Sequence, residues 1–88
     1  MDHNRPNPFN PETTITYAIK ENGRVKLTIY NLLGQEVRRL VDDIQPNGAY
    51  SVKWDGYDDS GEIVSGGLYL YQLTINGFVE TKKMLFVK

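Results

Sequence analysis

The stretch LYLYQLTI, residues 68–75, decides the fold of this chain. Tyr69, Tyr71, Leu73 and Ile75 occupy alternate positions, so an extended backbone sets all four on one face. A helix would scatter them around its axis. Aromatic and β-branched side chains suit a pleated, half-buried surface. Asn76-Gly77 follows at once, and both residues accept positive φ cheaply, which marks a tight hairpin. The next segment, FVETKKMLFVK (78–88), therefore reads as the returning strand. Its MLFV run is apolar on both faces, so the pattern does not give its register.

The same period of two extends backwards along the chain. TTITYAIK sets Ile15, Tyr17 and Ile19 against Thr14, Thr16 and Ala18. RVKLTIYN sets Val25, Leu27 and Ile29 against Lys26, Thr28 and Tyr30, and AYSVKWD sets Tyr50, Val52 and Trp54 against Ser51 and Lys53. Turn chemistry separates the strands: ENG (21–23) is a second hairpin signal, LLGQE around Gly34 a short turn, and PNG (46–48) and DSG (59–61) further turns. EVRRLV (36–41) carries Val37, Leu40 and Val41, which fit neither period and predict a bulged strand. No helix of useful length is signalled. The expectation is an all-β chain, an antiparallel sandwich of about six or seven strands in two packed sheets.

Composition narrows the function. Eighty-eight residues make one domain, and a net charge of −1 gives no footprint for nucleic acid. No apolar run approaches the roughly 18 residues of a membrane span, so no membrane insertion is expected. The absence of cysteine removes disulfides and thiolate metal sites. MDHNRPNPF lacks the apolar core of a signal peptide, which read alone means the cytoplasm. Met1-Asp2-His3 equally fits a start placed at a domain boundary, so an exported precursor stays open.

Catalysis needs a constellation that the chain does not supply. His3 is the single histidine, and there is no G-x-S-x-G or phosphate-binding glycine loop. The expectation is a non-enzyme with no cofactor and no metal site. WDGYDDSGE (54–62) is the densest acidic stretch. Counted from Asp55 as a calcium loop, it puts Tyr57 third, Ser60 sixth and Gly66 twelfth, which fails the pattern. Asp55 and Asp58 are instead expected to form side-chain-to-backbone turns, with Gly56 and Gly61 at special φ. Trp54, Tyr69 and Tyr71 fall on inward faces, with Trp54 at the core. Tyr30 and Tyr57 are left as exposed aromatics, too few for a sugar platform. Positive charge clusters at Arg38-Arg39 and Lys82-Lys83; the latter reads as a solvated edge guard or as part of a handle for another protein.

Four stretches in order, NPFNPETTITYAI, VKLTIYNLLGQEVRRLV, GAYSVKWDGYDDSGEIVSGGLYLYQL and KKMLFVK, resemble the type A C-terminal sorting domain of proteins exported by the type IX secretion system. They are also similar to the Ig-like domain of flagellar hook-capping proteins. Gly34 and the run Trp54, Asp55, Gly56, Asp58, Gly61, Val64, Ser65, Gly66 and Tyr69 carry the resemblance as scaffold. Gly67-Leu68 makes the spacing one residue longer than the shortest form of that motif. The resemblance implies an Ig-like sandwich over 7–88 behind an N-terminal cargo domain, with 1–6 a disordered linker or cloning remnant. It also implies a secreted or cell-surface destination and partners in the outer membrane, namely the secretion machinery and a sortase-like peptidase. The sorting signal then falls on Lys82, Lys83, Met84, Leu85, Phe86, Val87 and Lys88, with Met84 and Phe86 as anchors for a partner's pockets and the lysines steering. The other readings are a structural assembly or spacer module, hook-cap-like, and a carbohydrate-binding accessory module. The oligomeric state stays open.

At the front, NPFNP (7–11) reads as a stiff domain entrance, because Pro8 and Pro11 push the preceding asparagines into extended conformations. Phe9 is expected to plug one end of the sandwich, with strand pairing starting a few residues after Pro11.

Overall fold

The computed structural model describes residues 13–87. The expectations for Pro8, Phe9, Pro11 and Lys88 lie outside them. Six strands form: β1 (Thr13–Ile19), β2 (Gly23–Tyr30), β3 (Glu36–Gln45), β4 (Gly48–Trp54), β5 (Gly67–Ile75) and β6 (Phe78–Phe86). They make a four-stranded antiparallel sheet in the order β3-β2-β5-β6, and a two-stranded sheet of β1 and β4. This is an all-β sandwich of the Ig-like kind, with pairing from Thr13 onward.

The alternating faces fall as the pattern requires. Ile15, Tyr17 and Ile19 from β1, Val25, Leu27 and Ile29 from β2, and Tyr69, Tyr71 and Leu73 from β5 are all buried. The β6 register that the sequence left open puts Met84 opposite Tyr69 and Phe86 opposite Gly67. Both side chains enter the core, while Leu85 and Val87 face outward. Trp54 ends β4 fully buried, edge-on to Tyr69 at 5.4 Å and tilted on Phe86 at 4.9 Å between ring centroids. Such ring pairs add about 0.5–1.5 kcal/mol each beyond the area they bury.

The awkward EVRRLV segment is explained by two register shifts. β2 advances from Leu27 to Thr28 while β3 passes from Val41 to Arg39, and from Ile29 to Tyr30 while β3 passes from Arg38 to Glu36. Leu40 and Val37 are the extra residues. These bulges let Val37, Leu40 and Val41 all pack against the core although their spacing is not two.

One turn differs from expectation. Residues 21–23 do not close a hairpin: β1 pairs with β4 and β2 with β3 and β5, so this segment carries the chain from one sheet to the other. Asn-Gly chemistry permits a sharp bend but does not dictate its partner. Asn76-Gly77 does close the β5–β6 hairpin, with φ of 48° and 88° and Ile75 opposite Phe78. Tyr17 stacks on Tyr50 at 5.3 Å, and its hydroxyl donates to Gln45 Oε1 at 2.7 Å. That contact ties the small sheet to the end of β3. Burial is the main reason the Tyr17 hydroxyl titrates above its ordinary value.

The register also fixes the poles. Thr13 lies opposite Trp54 and Phe86 opposite Gly67, so the first and last strands meet the same end of the sandwich. The connections 20–22, 46–47 and 76–77 form the other end. Trp54→Ala is expected to cost about 3–5 kcal/mol. Against the about 5–15 kcal/mol typical of a domain, this leaves little reserve, and urea titration followed by tyrosine fluorescence reads the loss.

Candidate functional site

Two features of the shared pole are candidates: the loop over 55–66 and the β6 edge. The loop begins where Trp54 ends. Its indole Nε1 donates to the Tyr57 carbonyl at 3.0 Å, and Asp55 Oδ1 accepts the Tyr57 amide at 3.0 Å. Gly56 sits between at φ 82°, directly beneath Phe86. A Cβ there would stand 2.3 Å from the Phe86 ring, so both conformation and space demand glycine.

Asp58 organises the far side of the loop. Its Oδ1 accepts from the Ser60 hydroxyl at 2.7 Å and from the Ser60 and Glu62 amides at 3.0 Å. The Gly61 amide donates to the Asp58 carbonyl, with Gly61 at φ 88°. The Asp58 amide to Glu62 carbonyl and Val64 amide to Gly56 carbonyl bonds make a miniature antiparallel ladder around the Tyr57–Ile63 bridge. The acidic stretch thus forms the aspartate turns that its spacing suggests. The Ser60 hydroxyl bond, then the surrounding amides, hold the Asp58 carboxyl below its ordinary value. Tyr69 Oη donates to the Ser65 carbonyl at 2.6 Å, closing the corner into β5 in the manner of the tyrosine corner of Ig sandwiches.

The loop is then fastened to the β3 edge. The Asp59 amide donates to the Val37 carbonyl at 2.9 Å, and Asp59 Oδ1 accepts the Arg39 amide at 3.2 Å. β3 is the edge strand of its sheet, so alternate backbone groups along it face away from β2 and take these bonds. Arg38 Nη1 reaches the Tyr57 carbonyl at 3.1 Å and Asp55 at 3.5 Å, and its Nε lies 3.9 Å from Asp59. The pair read as one basic cluster is therefore split: Arg39 turns to Glu36 and Asp42 on the outer face. Sequence reasoning missed the Arg38 clamp: strand alternation sends the two arginines to opposite faces, but nothing in the local pattern shows that the 55–59 loop folds back over the Arg38 side.

The remaining site residues divide cleanly. Gly34 takes φ 82° in the 31–35 turn, where Asn31 Oδ1 accepts the Leu33 and Gln35 amides. Gly66 precedes β5. On β6, Lys83 and Leu85 project outward from a strand that pairs only with β5 among the described residues, and Val87 is exposed just past its end. Lys82 is half-buried. Met84 and Phe86 are 3% exposed, so the expectation that they anchor in a partner's pockets is corrected: the core has already taken them. Trp54, Tyr69 and Tyr71 are buried, Tyr30 half-buried and Tyr57 42% exposed, so the described residues form no aromatic row for a sugar. An open groove of ≈ 520 Å³ between the 31–37 segment and the loop is lined by polar Asn31, Gln35, Glu36, Asp58 and Ser65 and by Val37, Val64 and Tyr69, a mixed lining without a nucleophile–base pair.

The model of the FlgD Ig-like domain family matches residues 9–77. Among solved structures, the crystal structure of FlgD from P. aeruginosa superimposes with a TM-score of 0.64 at 24% identity, covering 85% of this chain and 60% of that one. The chain therefore spans 60% of the length of that structure. Comparison with curated proteins returns no match.

A carboxyl held low by folding stabilises the fold above its unfolded value of about 3.9, and that contribution disappears as pH falls through the lower folded value. NMR titration of the Asp58 carboxyl is expected to give a midpoint below about 3.9. In Asp58→Asn, which keeps an acceptor but not the charge, the loss of stability below about pH 4 is expected to become shallower.

Proposed function

The chain belongs to the FlgD Ig-like domain family, and we propose that it acts without catalysis, as a structural assembly module of the hook-cap kind within a longer protein. The observation that carries this reading is the state of its polar side chains at the loop-bearing pole. Asp58 and Ser60 are spent on shaping the loop from within, and Asp55, Asp59 and Arg38 on holding it to β3. They build shape and leave no poised acid, base or nucleophile. What the domain offers a partner is surface: the β6 edge with Lys83, Leu85 and Val87 outward, and the exposed Leu32 and Leu33 in the 31–35 turn. An unpaired strand edge suits a protein partner that adds a strand.

The same edge supports a second reading, that β6 is an export address read by type IX secretion machinery, with later removal by a sortase-like peptidase and delivery to the surface or medium. Here Lys83, Leu85 and Val87 are the readable side of the signal, while Met84 and Phe86 hold the strand flat against the core.

A reporter fused in front of residues 7–88 and expressed in a type IX-competent host separates the two. Release into the medium that is lost in Leu85→Asp/Val87→Asp supports the export address. Cellular retention, with loss of partner assembly in the parent protein carrying the same pair, supports the structural module. Both substitutions lie at exposed positions, so each is expected to change the unfolding free energy by no more than about 0.5 kcal/mol.

A further inference from the structure

The pole opposite the loop carries three Asn-Gly pairs: Asn22-Gly23, Asn47-Gly48 and Asn76-Gly77. They lie far apart in sequence, and the fold brings them into one network. Asn22 Oδ1 accepts the Asn47 amide at 2.8 Å. Asn76 Nδ2 donates to the Asn22 carbonyl at 3.4 Å, and Asn76 Oδ1 accepts the Arg24 amide at 3.3 Å. The Asn76 side chain fills the space beside Gly23, where a Cβ would stand 2.1 Å from its Oδ1.

Asn-Gly is also the dipeptide most open to self-modification, because glycine leaves its own nitrogen unshielded. The nitrogen of the glycine attacks Cγ of the asparagine. The new C–N bond closes a five-membered imide, and the C–Nδ2 bond breaks with Nδ2 leaving as ammonia. Water then opens the imide at either carbonyl to give aspartate or isoaspartate. The proton lost from the glycine nitrogen leaves with the ammonia, and water is the one added reactant. The attack requires the side chain to swing back over the following nitrogen, and a side chain bonded elsewhere resists that swing.

The three asparagines differ in this respect. Asn76 is held at both ends of its amide, and Asn22 is held at Oδ1. Asn47 is exposed, and its side chain makes no hydrogen bond among the described residues. From this we infer that Asn47-Gly48 is a site of spontaneous deamidation, and that Asn22 and Asn76 are kept intact by the same bonds that hold the pole together. The isoaspartate product adds one backbone carbon between β3 and β4, where the chain crosses between sheets. It also displaces the amide that restrains Asn22, so Asn22 is second in order and Asn76 last.

The test is incubation of the folded protein at mildly alkaline pH, with timed peptide mapping by mass spectrometry and methyltransferase labelling of isoaspartate. Conversion is expected first at Asn47, with Asn22 about fivefold slower for its one restraining bond and Asn76 slower again. In denaturant the three rates are expected to converge. Asn47→Gln is expected to keep the fold and to delay conversion at Asn22. Folded-state conversion at Asn22 or Asn76 as fast as at Asn47, or unequal rates that persist in denaturant, overturns the inference.

Discussion

The buried indole of Trp54 is the constraint on which the rest of the structure depends. It ends one strand of the small sheet, supports Tyr69 and Phe86 from the large sheet, and bonds the first residues of the loop through its one polar atom. A buried N–H left without an acceptor costs about 1–3 kcal/mol, so the loop must return a carbonyl to it, and Tyr57 does. That return forces the tight bend at Gly56, and the bend in turn makes room for the tip of the Phe86 ring over a backbone with no side chain. Core, loop and last strand are thus fixed by one ring.

From this follows how the sandwich manages its edges. β3 is blunted by its own bulges and by the loop fastened to it through Asp59 and Arg38. On the outer face, Arg24, Asp42, Arg39 and Glu36 form a charged ladder, and Arg24 is the first cause of the low titration of the Asp42 carboxyl. Exposed pairs of this kind contribute little stability, but they make that side of the sheet unwelcoming to another strand. β6 has no comparable cover among the described residues. The two edges of the four-stranded sheet are therefore unlike: β3 is covered by the loop, and β6 pairs only with β5 among the described residues.

Much of this was legible in the residues. Strict alternation in β1, β2 and β5 gave both the strand type and the buried face, because a one-residue error would have put Ile15, Leu27 or Tyr71 in water. The aspartate turns at Asp55 and Asp58 were readable because short acidic side chains reach only nearby amides. Pairing was not legible. The segment 21–23 has the composition of a hairpin and serves as a sheet crossing, since the choice of partner is made by distant residues such as Asn76. The double apolar face of MLFV likewise hid which residues belong to the core, and with it the reason Met84 and Phe86 cannot serve a partner.

Both ends of the described chain leave from the Trp54 pole, and this has a mechanical meaning. Thr13 and Phe86 both lie at that pole, so the two outermost strand ends of the described chain share one side of the sandwich instead of standing at opposite ends. Tension that draws these two ends apart pulls across the strands at that pole. It loads the ladder bonds one after another, starting at Thr13–Trp54 and Gly67–Phe86, instead of all together in shear. The aromatic cluster around Trp54 lies directly behind those first rungs, so it is the part of the core that such tension reaches first.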